Sequence, residues 1–376
     1  QIDTDGDGVM DDMDTCPDTP EGEEVNETGC SSTQIDTDGD GVMDDMDTCP
    51  DTPEGEEVDE NGCSDSQKDS DNDGVTDNVD QCPNTIEGRP VNEVGCQNPI
   101  YLDENGVTIK SYEWGEVGDT GDIDGEEFII ISESELRERI KNGGDLFNVV
   151  TSKVTNMDYL FFNTVVEEEY SNIPDEIIRW DVSNVTSMEG TFKNSDSGIV
   201  NLLGYWDVSK VTNMSHLFEG SSEVGGSFSL EDPYSLHNWD VSSVTDMSHM
   251  FQYGGNIITP FLDNWDVSNV TDMSFMFTYT YISDYNSFIN WDVSNVVNMS
   301  NMFNSCDMDI PIGMWDVSNV ENMEKMMYRV NSYSTYGGDG YNLNNWDVNK
   351  VTNCFEFSKH RSHGFGLPNF TNCDPN

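Results

Sequence analysis

Three short segments of the sequence carry closely spaced aspartates, a residue type that binds multivalent cations. The first segment reads D-T-D-G-D-G-V-M-D-D-M-D from Asp3 to Asp14, and Cys16 and Pro17 follow it closely. The same pattern returns 33 residues later and again after another 33. Carboxylates this close repel one another unless a cation lies among them, so the segments predict calcium sites.

The aspartates have the spacing of positions 1, 3, 5, 7, 9 and 12 of an EF-hand loop, with glycine at position 6 for the turn. Position 7 supplies a backbone carbonyl, position 9 a direct or water-mediated contact, and position 12 a bidentate carboxylate. The flanking helices of an EF-hand are absent, because Cys-Pro follows directly. The predicted ligands are Asp3, Asp5, Asp7, Val9, Asp11 and Asp14, then Asp36, Asp38, Asp40, Val42, Asp44 and Asp47, then Asp69, Asp71, Asp73, Val75, Asp77 and Asp80.

A structural calcium site has two alternatives, a solvated disordered linker and a calcium-dependent switch. A linker does not explain why five Asp, one Gly and one Cys keep the same phase three times. A switch is disfavoured because extracellular calcium keeps sites of roughly millimolar affinity filled. Asp12 and Asp45 are extra carboxylates for a second ion, and Asn78 at that place in the third segment predicts a poorer site.

The nine cysteines indicate an oxidising compartment. Six of them form three pairs with 13 residues between the partners, a regularity typical of a disulfide framework. The simplest connectivity lies within each pair, and other pairings stay open. Cys354 and Cys373 are expected to close a C-terminal cap, which leaves Cys306 as a buried small residue. The paired cysteines are Cys16 and Cys30, Cys49 and Cys63, and Cys82 and Cys96.

The charge of the chain excludes several partners. Among 376 residues, 74 are acidic and 15 are basic, which gives a formal charge of −59. Because phosphate binding needs Lys and Arg, nucleic acid is excluded, and docking on an anionic membrane is disfavoured. No apolar run approaches the roughly 18–20 residues of a membrane helix, so no membrane insertion is expected. Since Gln1 opens a repeat almost identical to that at Gln34, we expect the chain to be a piece of a larger protein.

The chain divides into four predicted segments. The first has too few apolar residues for an ordinary hydrophobic core, so bound metal and disulfides are needed to stabilise it. The second is a predicted cap, with a hairpin around Asn105-Gly106, a strand at Glu126–Ser132 and a helix at Ser134–Asn142. The third holds about eight repeats, and the fourth is a C-terminal cap. The segments are residues 1–97 (units 1–33, 34–66 and 67–97), 98–150, 151–357 and 358–376.

The third segment repeats Trp-Asp-Val-Ser, followed by Val-Thr-Asn/Asp-Met-Ser-x-Met/Leu-Phe or a close variant. A period near 26 residues, with a short strand and a short helix, indicates a solenoid. In the unit that begins at Trp265, the tryptophan and valine share one face of the strand, and Thr271 is a candidate helix N-cap. Met273, Met276 and Phe277 then face inward together. The motif begins at Trp180, Trp206, Trp239, Trp265, Trp291, Trp315 and Trp346.

Two known families resemble these patterns. Over residues 3–97, D-x-D-x-D-G-x-x-D-x-x-D-x-C-P with a later Gly-Cys resembles thrombospondin type 3 repeats in their bacterial form. Residues 98–376 resemble BspA-like leucine-rich repeat proteins of bacterial surfaces, through Leu102–Lys110 (L-D-E-N-G-V-T-I-K) and the unit W-D-V-S-N-V-T-D-M-S-x-M-F. The resemblance implies calcium wrapped in a stiff rod and an α/β leucine-rich-repeat solenoid. It also implies an adhesin on the surface of a Bacteroidetes-type bacterium, exported by the type IX system.

Other repeated positions have structural interpretations. The motif aspartates would lie about 4.8 Å apart on successive turns, and either accept hydrogen bonds within their turns or form a stripe for a cation or cationic ligand. The motif methionines are predicted to form a core ladder. The five histidines are scattered without ligand spacing, so no zinc site is predicted. No Ser-His-Asp, phosphate-loop or nucleophilic cysteine motif occurs, so no catalytic residue is predicted.

Connections between the repeats are the candidate ligand-binding loops. Three of them, residues 162–179, 219–238 and 328–345, are longer than the rest. Tyr, Ser, Gly and Asn in such connections are typical of adaptable recognition loops, and insertions in a solenoid often lie at its binding edge. Neutral surface drift is the alternative. The candidate ligand residues are Tyr279, Tyr281, Tyr285, Tyr328, Tyr333, Tyr336 and Tyr341.

These features predict a non-enzymatic extracellular adhesin, in which a rigid calcium-stabilised stalk presents a solenoid to a cell, a glycan or a matrix protein. Preordered repeats lose less entropy on contact, and many weak contacts give avidity. One alternative is a structural subunit of a surface filament, assembled through self-contacts. Another is a glycan-active enzyme, although the sequence offers columns of carboxylates rather than a catalytic pair.

Overall fold

The computed structural model describes residues 2–162, 173–195, 202–220, 236–257, 262, 264–282, 288, 290–308, 311–331, 342–360 and 366–376. The chain forms two compact units, Gln1–Asn98 and Pro99–Asn376. Within the described residues, none of the helices has the length and apolar character needed to span a bilayer.

The first unit consists of turns, because its apolar residues are too few to form a core. Each repeat closes on itself through one antiparallel bridge, which in the first repeat joins Val25 and Ser31. Met13 and Met46 remain 67% and 60% exposed. The structure joins the cysteines within each pair, as Cys16–Cys30, Cys49–Cys63 and Cys82–Cys96. Disulfides therefore supply cross-links where hydrophobic burial is small.

The second unit begins with the predicted hairpin, strand and helix. Strands β1 (Ile100–Leu102) and β2 (Ile109–Ser111) pair antiparallel, and Gly106 in their turn has a φ of 71°. The helix α1 (Glu133–Asn142) begins after Ser132, which forms a capping box with Glu135, and ends at Gly143 with a φ of 63°. A three-stranded sheet has the order β3-β4-β5, with β3 at Thr120–Ile123, β4 at Glu126–Ile130 and β5 at Val149–Val150.

The repeats of the second unit stack in parallel. A single parallel bridge joins each repeat to the next, in the order Asn156, Ser187, Asn213, Asp246, Asp272, Asn298, Asn322 and Asn353. Three short parallel strands lie beside this ladder, β6 at Gly255–Ile257, β7 at Thr280–Ile282 and β8 at Asp307–Met308. Short 3₁₀ turns at Asp175–Arg179, Ile312–Met314 and Leu343–Asn345 precede a motif tryptophan. The number of residues between successive motif tryptophans varies, but each bridge still joins equivalent positions of neighbouring repeats.

The predicted short helix of each repeat is wrong, and the described repeats form turns in its place. The N–H groups of Met273, Phe275 and Phe277 donate to carbonyls of the following repeat at 2.9–3.0 Å, so they are not free for helical bonds. Phe275 has a φ of 58°, outside the right-handed helical region. Thr271 does not cap a helix, because its hydroxyl donates to the carbonyl of Thr245 in the preceding repeat. A helix does not form because alternate N–H groups donate to the following repeat instead of to carbonyls four residues back.

Trp-Asp-Val-Ser is not a hydrogen-bonded strand, but its side chains alternate as expected. Trp265 is 3% exposed and Val267 1% exposed, whereas Asp266 lies at the surface. The motif methionines are buried, which confirms the core ladder. Phenylalanine rings stack from repeat to repeat at centroid distances of 5.7–5.8 Å, through Phe161, Phe192, Phe218, Phe251, Phe277 and Phe303. Dispersion and burial along this column hold the repeats together.

The C-terminal segment covers the last repeat. Cys354 and Cys373 form a disulfide, and the ring of Phe370 packs edge-on against Phe357 with centroids 5.1 Å apart. Cys306 is a free cysteine buried in the core, as expected, and burial raises the pKa of its thiol. The apolar end of the stack is therefore partly shielded from water.

Candidate functional site

The acidic loops fold around their first aspartate. Both carboxylate oxygens of Asp3 accept backbone N–H groups, from Gly6 at 2.8 Å and Gly8 at 3.2 Å. Gly8 has a φ of 97°, a backbone conformation that favours glycine, as the predicted turn position requires. Asp7 accepts the N–H of Val9 at 2.7 Å. Local hydrogen bonds thus bend the chain and turn alternate aspartates toward one point.

Three carboxylates converge in each loop. One carboxylate oxygen from each member lies within 4.8 Å of the others, in the triplets Asp3/Asp5/Asp7, Asp36/Asp38/Asp40 and Asp69/Asp71/Asp73. Oxygens on opposite sides of a calcium ion are about 4.8 Å apart, given bonds of roughly 2.3–2.6 Å. The three oxygens of each triplet are therefore close enough to bind one calcium ion.

Buried oxygens without a hydrogen-bond partner support the same ion. Among the side-chain carboxylates of the described residues, the oxygens of this kind are Asp7 Oδ2, Asp40 Oδ2, Asp71 Oδ1 and Asp73 Oδ2. A buried carboxylate oxygen without a donor is costly unless a cation compensates its charge. All four belong to the triplets, so the residues present fit a bound calcium ion.

The glycine before the second cysteine of each pair makes room for the twelfth loop position. A Cβ on Gly29 would lie 2.2 Å from Asp14 Oδ1 and 3.0 Å from Asp7 Oδ2. Gly62 and Gly95 have the same relation to Asp47 and Asp80. The Gly-Cys dipeptide thus folds back onto the acidic loop, which brings Asp14 close to the triplet. Its Oδ1 also accepts the N–H of Cys16 at 2.8 Å, which links the loop to the disulfide.

Asp11 lies outside the converging triplet and contacts the loop itself. Its two carboxylate oxygens accept the N–H and the hydroxyl of Thr4, both at 2.8 Å, so it braces the loop. Asp44 does the same with Thr37, and Asp77 with Ser70. None of the three belongs to the converging triplets. The hydroxyl at the second position of the loop binds this carboxylate, a contact that spacing alone does not reveal.

The motif aspartates of the second unit accept bonds within their own turns. Asp266 Oδ1 accepts the N–H of Ser268 at 3.0 Å, and the other motif aspartates repeat this contact. Hydrogen bonds from the hydroxyl and N–H of Ser242 hold the pKa of Asp240 below its ordinary value. This geometry corresponds to the turn interpretation rather than to a stripe for a cation.

The candidate ligand tyrosines fall partly within the described residues. Tyr279 and Tyr281 are 51% and 44% exposed, and the ring of Tyr279 stacks on Tyr253 with centroids 5.2 Å apart. Tyr281 lies in β7, so the ladder of parallel strands holds it. Tyr328 contacts the guanidinium of Arg329 through its ring, 5.2 Å from the centroid. The candidates Tyr285, Tyr333, Tyr336 and Tyr341 lie outside the described residues.

Two histidines that are far apart in the sequence also meet on the stack. The rings of His216 and His249 stack with centroids 4.3 Å apart, and Glu219 contacts His216 Nδ1. Burial lowers the pKa of His249. Burial would raise the pKa of Glu219, but hydrogen bonds from His216 and Lys193 outweigh it and lower that pKa. The signal in the sequence is the shared Met-Ser-His of two successive repeats.

Two family models match the chain. Residues 135–256, 227–335 and 256–363 match the model described as Mycoplasma protein of unknown function, DUF285. Residues 1–23, 29–57 and 59–87 match the model of the thrombospondin type 3 repeat, which confirms that resemblance. No curated protein and no solved structure matches the chain.

Proposed function

Because the chain belongs to the family described as Mycoplasma protein of unknown function, DUF285, and carries thrombospondin type 3 repeats before that region, we propose that it is an extracellular surface-attachment module. Both repeat types are typical of extracellular surface proteins, and the four disulfides suit an oxidising compartment. In this proposal the first unit is a calcium-stabilised spacer. The second unit carries the binding surface and has no catalytic role.

Calcium in the spacer is supported chiefly by the orphaned aspartate oxygens of the three triplets. We assign Asp3, Asp5, Asp7 and Asp14, with their equivalents in the next two repeats, as the carboxylate ligands. A bound ion supplies positive charge that cancels their mutual repulsion. Isothermal titration of the calcium-stripped chain tests this assignment. Binding that survives replacement of Asp7, Asp40 and Asp73 by Asn would overturn it.

The stacked repeats of the second unit form a leucine-rich-type solenoid in this proposal. The ladder of parallel bridges and the phenylalanine column support it, since each repeat buries its apolar side against the next. A BspA-like protein of a Bacteroidetes-type surface, exported by the type IX system, is the biological setting that we propose. Immunolabelling of intact cells of the source organism, with lysed cells as the comparison, tests the surface location.

The binding surface that we propose includes Tyr279 and Tyr281. Exposed tyrosines supply large contact areas at low entropic cost. Here the parallel ladder orders Tyr281 before contact, and the stack on Tyr253 orders Tyr279. A target cell, a glycan or a matrix protein is the expected partner class. Tyr205, on another repeat, is 47% exposed and provides a matched control.

Binding of the full chain to immobilised glycans, matrix proteins and cells tests the attachment function. The double variant Tyr279→Ser/Tyr281→Ser should lose at least about tenfold in affinity, because tyrosines are frequent energetic centres of interfaces. Tyr205→Ser should bind as the unchanged chain does. Equal losses in both variants, or no binding to any target, would argue against this surface.

Assembly into a filament is the competing proposal. The covered C-terminal end disfavours end-to-end stacking, because Phe370 and the Cys354–Cys373 disulfide lie against the last repeat. Light scattering of the calcium-loaded chain separates the two proposals. Concentration-dependent growth of long assemblies would support the filament, and a constant monomer mass would support attachment.

A further inference from the structure

His216 and His249 occupy the same position of two successive repeats. Both have a left-handed backbone, with φ of 58° and 59°, which is unfavourable for residues with a Cβ atom. The backbone N–H of His216 donates to the carbonyl of Ser248 at 2.9 Å, and that of His249 donates to the carbonyl of Ser274 at 2.8 Å. Each histidine is therefore bonded to the following repeat. These bonds hold both imidazoles on one edge of the stack.

Glu219 completes a compact cluster with the two histidines. One ligand atom from each of the three side chains lies within 4.8 Å of the others. The carboxylate of Glu219 contacts His216 Nδ1, and the side-chain oxygen of Gln252 contacts His249 Nδ1. Because an amide oxygen only accepts, Nδ1 of His249 carries the proton and Nε2 keeps its lone pair. A metal-binding imidazole is commonly held in this way through its other nitrogen.

Two imidazoles and one carboxylate are a ligand set for zinc and related first-row ions, whereas calcium takes oxygen ligands. A formal charge of −59 also raises the local concentration of cations around the chain. We propose that His216, Glu219 and His249 bind a divalent transition-metal ion, with zinc as the ion they suit best. This site is separate from the calcium loops in residues and in chemistry.

Binding requires the two imidazoles to turn out of their stack, because the in-plane lone pairs of rings only 14° from parallel do not meet at one ion. Ligand atoms around a tetrahedral zinc ion are about 3.3 Å apart, so the three side chains must close by rotation about their own bonds. Lys193 Nζ lies 2.7 Å from Glu219 Oε2 and competes for its charge. The ion replaces that ammonium group, so Lys193 should weaken metal binding.

Isothermal titration of the full chain with Zn²⁺, in excess Ca²⁺ to saturate the aspartate loops, tests the proposal. We expect one zinc ion per chain. Its affinity should fall at least about tenfold in His249→Phe and in Glu219→Gln, and rise several-fold in Lys193→Met. Phe275 is the equivalent residue of the next repeat, and its ring stacks on that of His249 with centroids 4.5 Å apart. His249→Phe therefore keeps an aromatic ring in this column.

His237→Phe is the matched control, because His237 is an exposed histidine outside the cluster. Its zinc affinity should equal that of the unchanged chain. Co²⁺ added to the unchanged chain gives a second readout, a visible absorption band typical of nitrogen and oxygen ligands at low coordination number. An unaltered zinc affinity in His249→Phe, a weaker one in Lys193→Met, or the absence of both zinc binding and the cobalt band would each overturn the site.

Discussion

The hydroxyl oxygen of Thr19 lies 2.7 Å from the side-chain oxygen of Gln34, the first residue of the next repeat. The N–H of Thr19 donates to Asp5, a member of the first aspartate triplet, at 2.9 Å. Thr52 repeats both contacts, with Gln67 at 2.8 Å and with Asp38 at 2.7 Å. One threonine therefore connects each of the first two acidic loops to the repeat that follows.

Replacing this threonine should weaken the coupling between repeats. Thr52→Val keeps the shape but removes the hydroxyl that faces Gln67, and we expect a loss of about 1–3 kcal/mol in unfolding free energy. Thr85→Val is the matched control. The hydroxyl of Thr85 lies 2.7 Å from the carbonyl oxygen of Gly95, as that of Thr52 lies 2.9 Å from the carbonyl oxygen of Gly62, but Ile100 stands at the place of the next glutamine. Urea unfolding in calcium should show the smaller loss for Thr85→Val. Equal losses would mean that the hydroxyl acts only within its own repeat.

Calcium removal should destabilise Gln1–Asn98 and leave Pro99–Asn376 largely unchanged. An ion at a free concentration of about 100 times its Kd stabilises each site by about 2.7 kcal/mol, and that stabilisation disappears in EDTA. Hydrogen exchange of the full chain, with and without calcium, reports both units in one experiment. Equal protection of the first unit from exchange with and without calcium would contradict the calcium assignment.

The indole N–H of Trp291 should contribute to the joining of repeats. It donates to the carbonyl of Leu262 in the preceding repeat at 2.9 Å. Trp291→Phe removes this bond and should cost about 1–3 kcal/mol more than Trp180→Phe, since Trp180 Nε1 is buried without a partner in the described part of the chain. Thermal unfolding of the two variants measures the difference. Equal losses of stability in the two variants would mean that only the smaller volume of phenylalanine matters, and not the hydrogen bond.

Asp240 and Asp316 should make the second unit sensitive to acid. Hydrogen bonds from Ser318 hold the pKa of Asp316 below its ordinary value, as those from Ser242 do for Asp240. A depressed folded-state pKa stabilises the fold above the unfolded pKa, and the gain is lost as pH falls through the folded value, below about pH 4. Asp240→Asn/Asp316→Asn keeps the acceptor oxygens without this titration. Its urea midpoint should therefore decline less between pH 6 and pH 3 than that of the unchanged chain.

Features that depend on spacing along the chain were predictable from the sequence. The aspartate triplets, the inward methionines and the hairpin at Asn105-Gly106 all follow from local geometry, and the structure contains them. Asp11 also has the position of a ligand in the sequence pattern. Its hydrogen bonds with the N–H and hydroxyl of Thr4 depend on side-chain geometry, which the spacing of residues along the chain does not specify.

The tertiary structure alone decided the conformation inside each repeat, and its stacking brought His216 to His249. Thr271, Met273, Met276 and Phe277 have a helical pattern, yet hydrogen bonds to neighbouring repeats bend that stretch into turns. Those bonds join residues that are more than twenty positions apart, so their register depends on all stacked repeats at once. The aspartates, in contrast, meet within one loop, and for that reason the sequence by itself determined where calcium is expected.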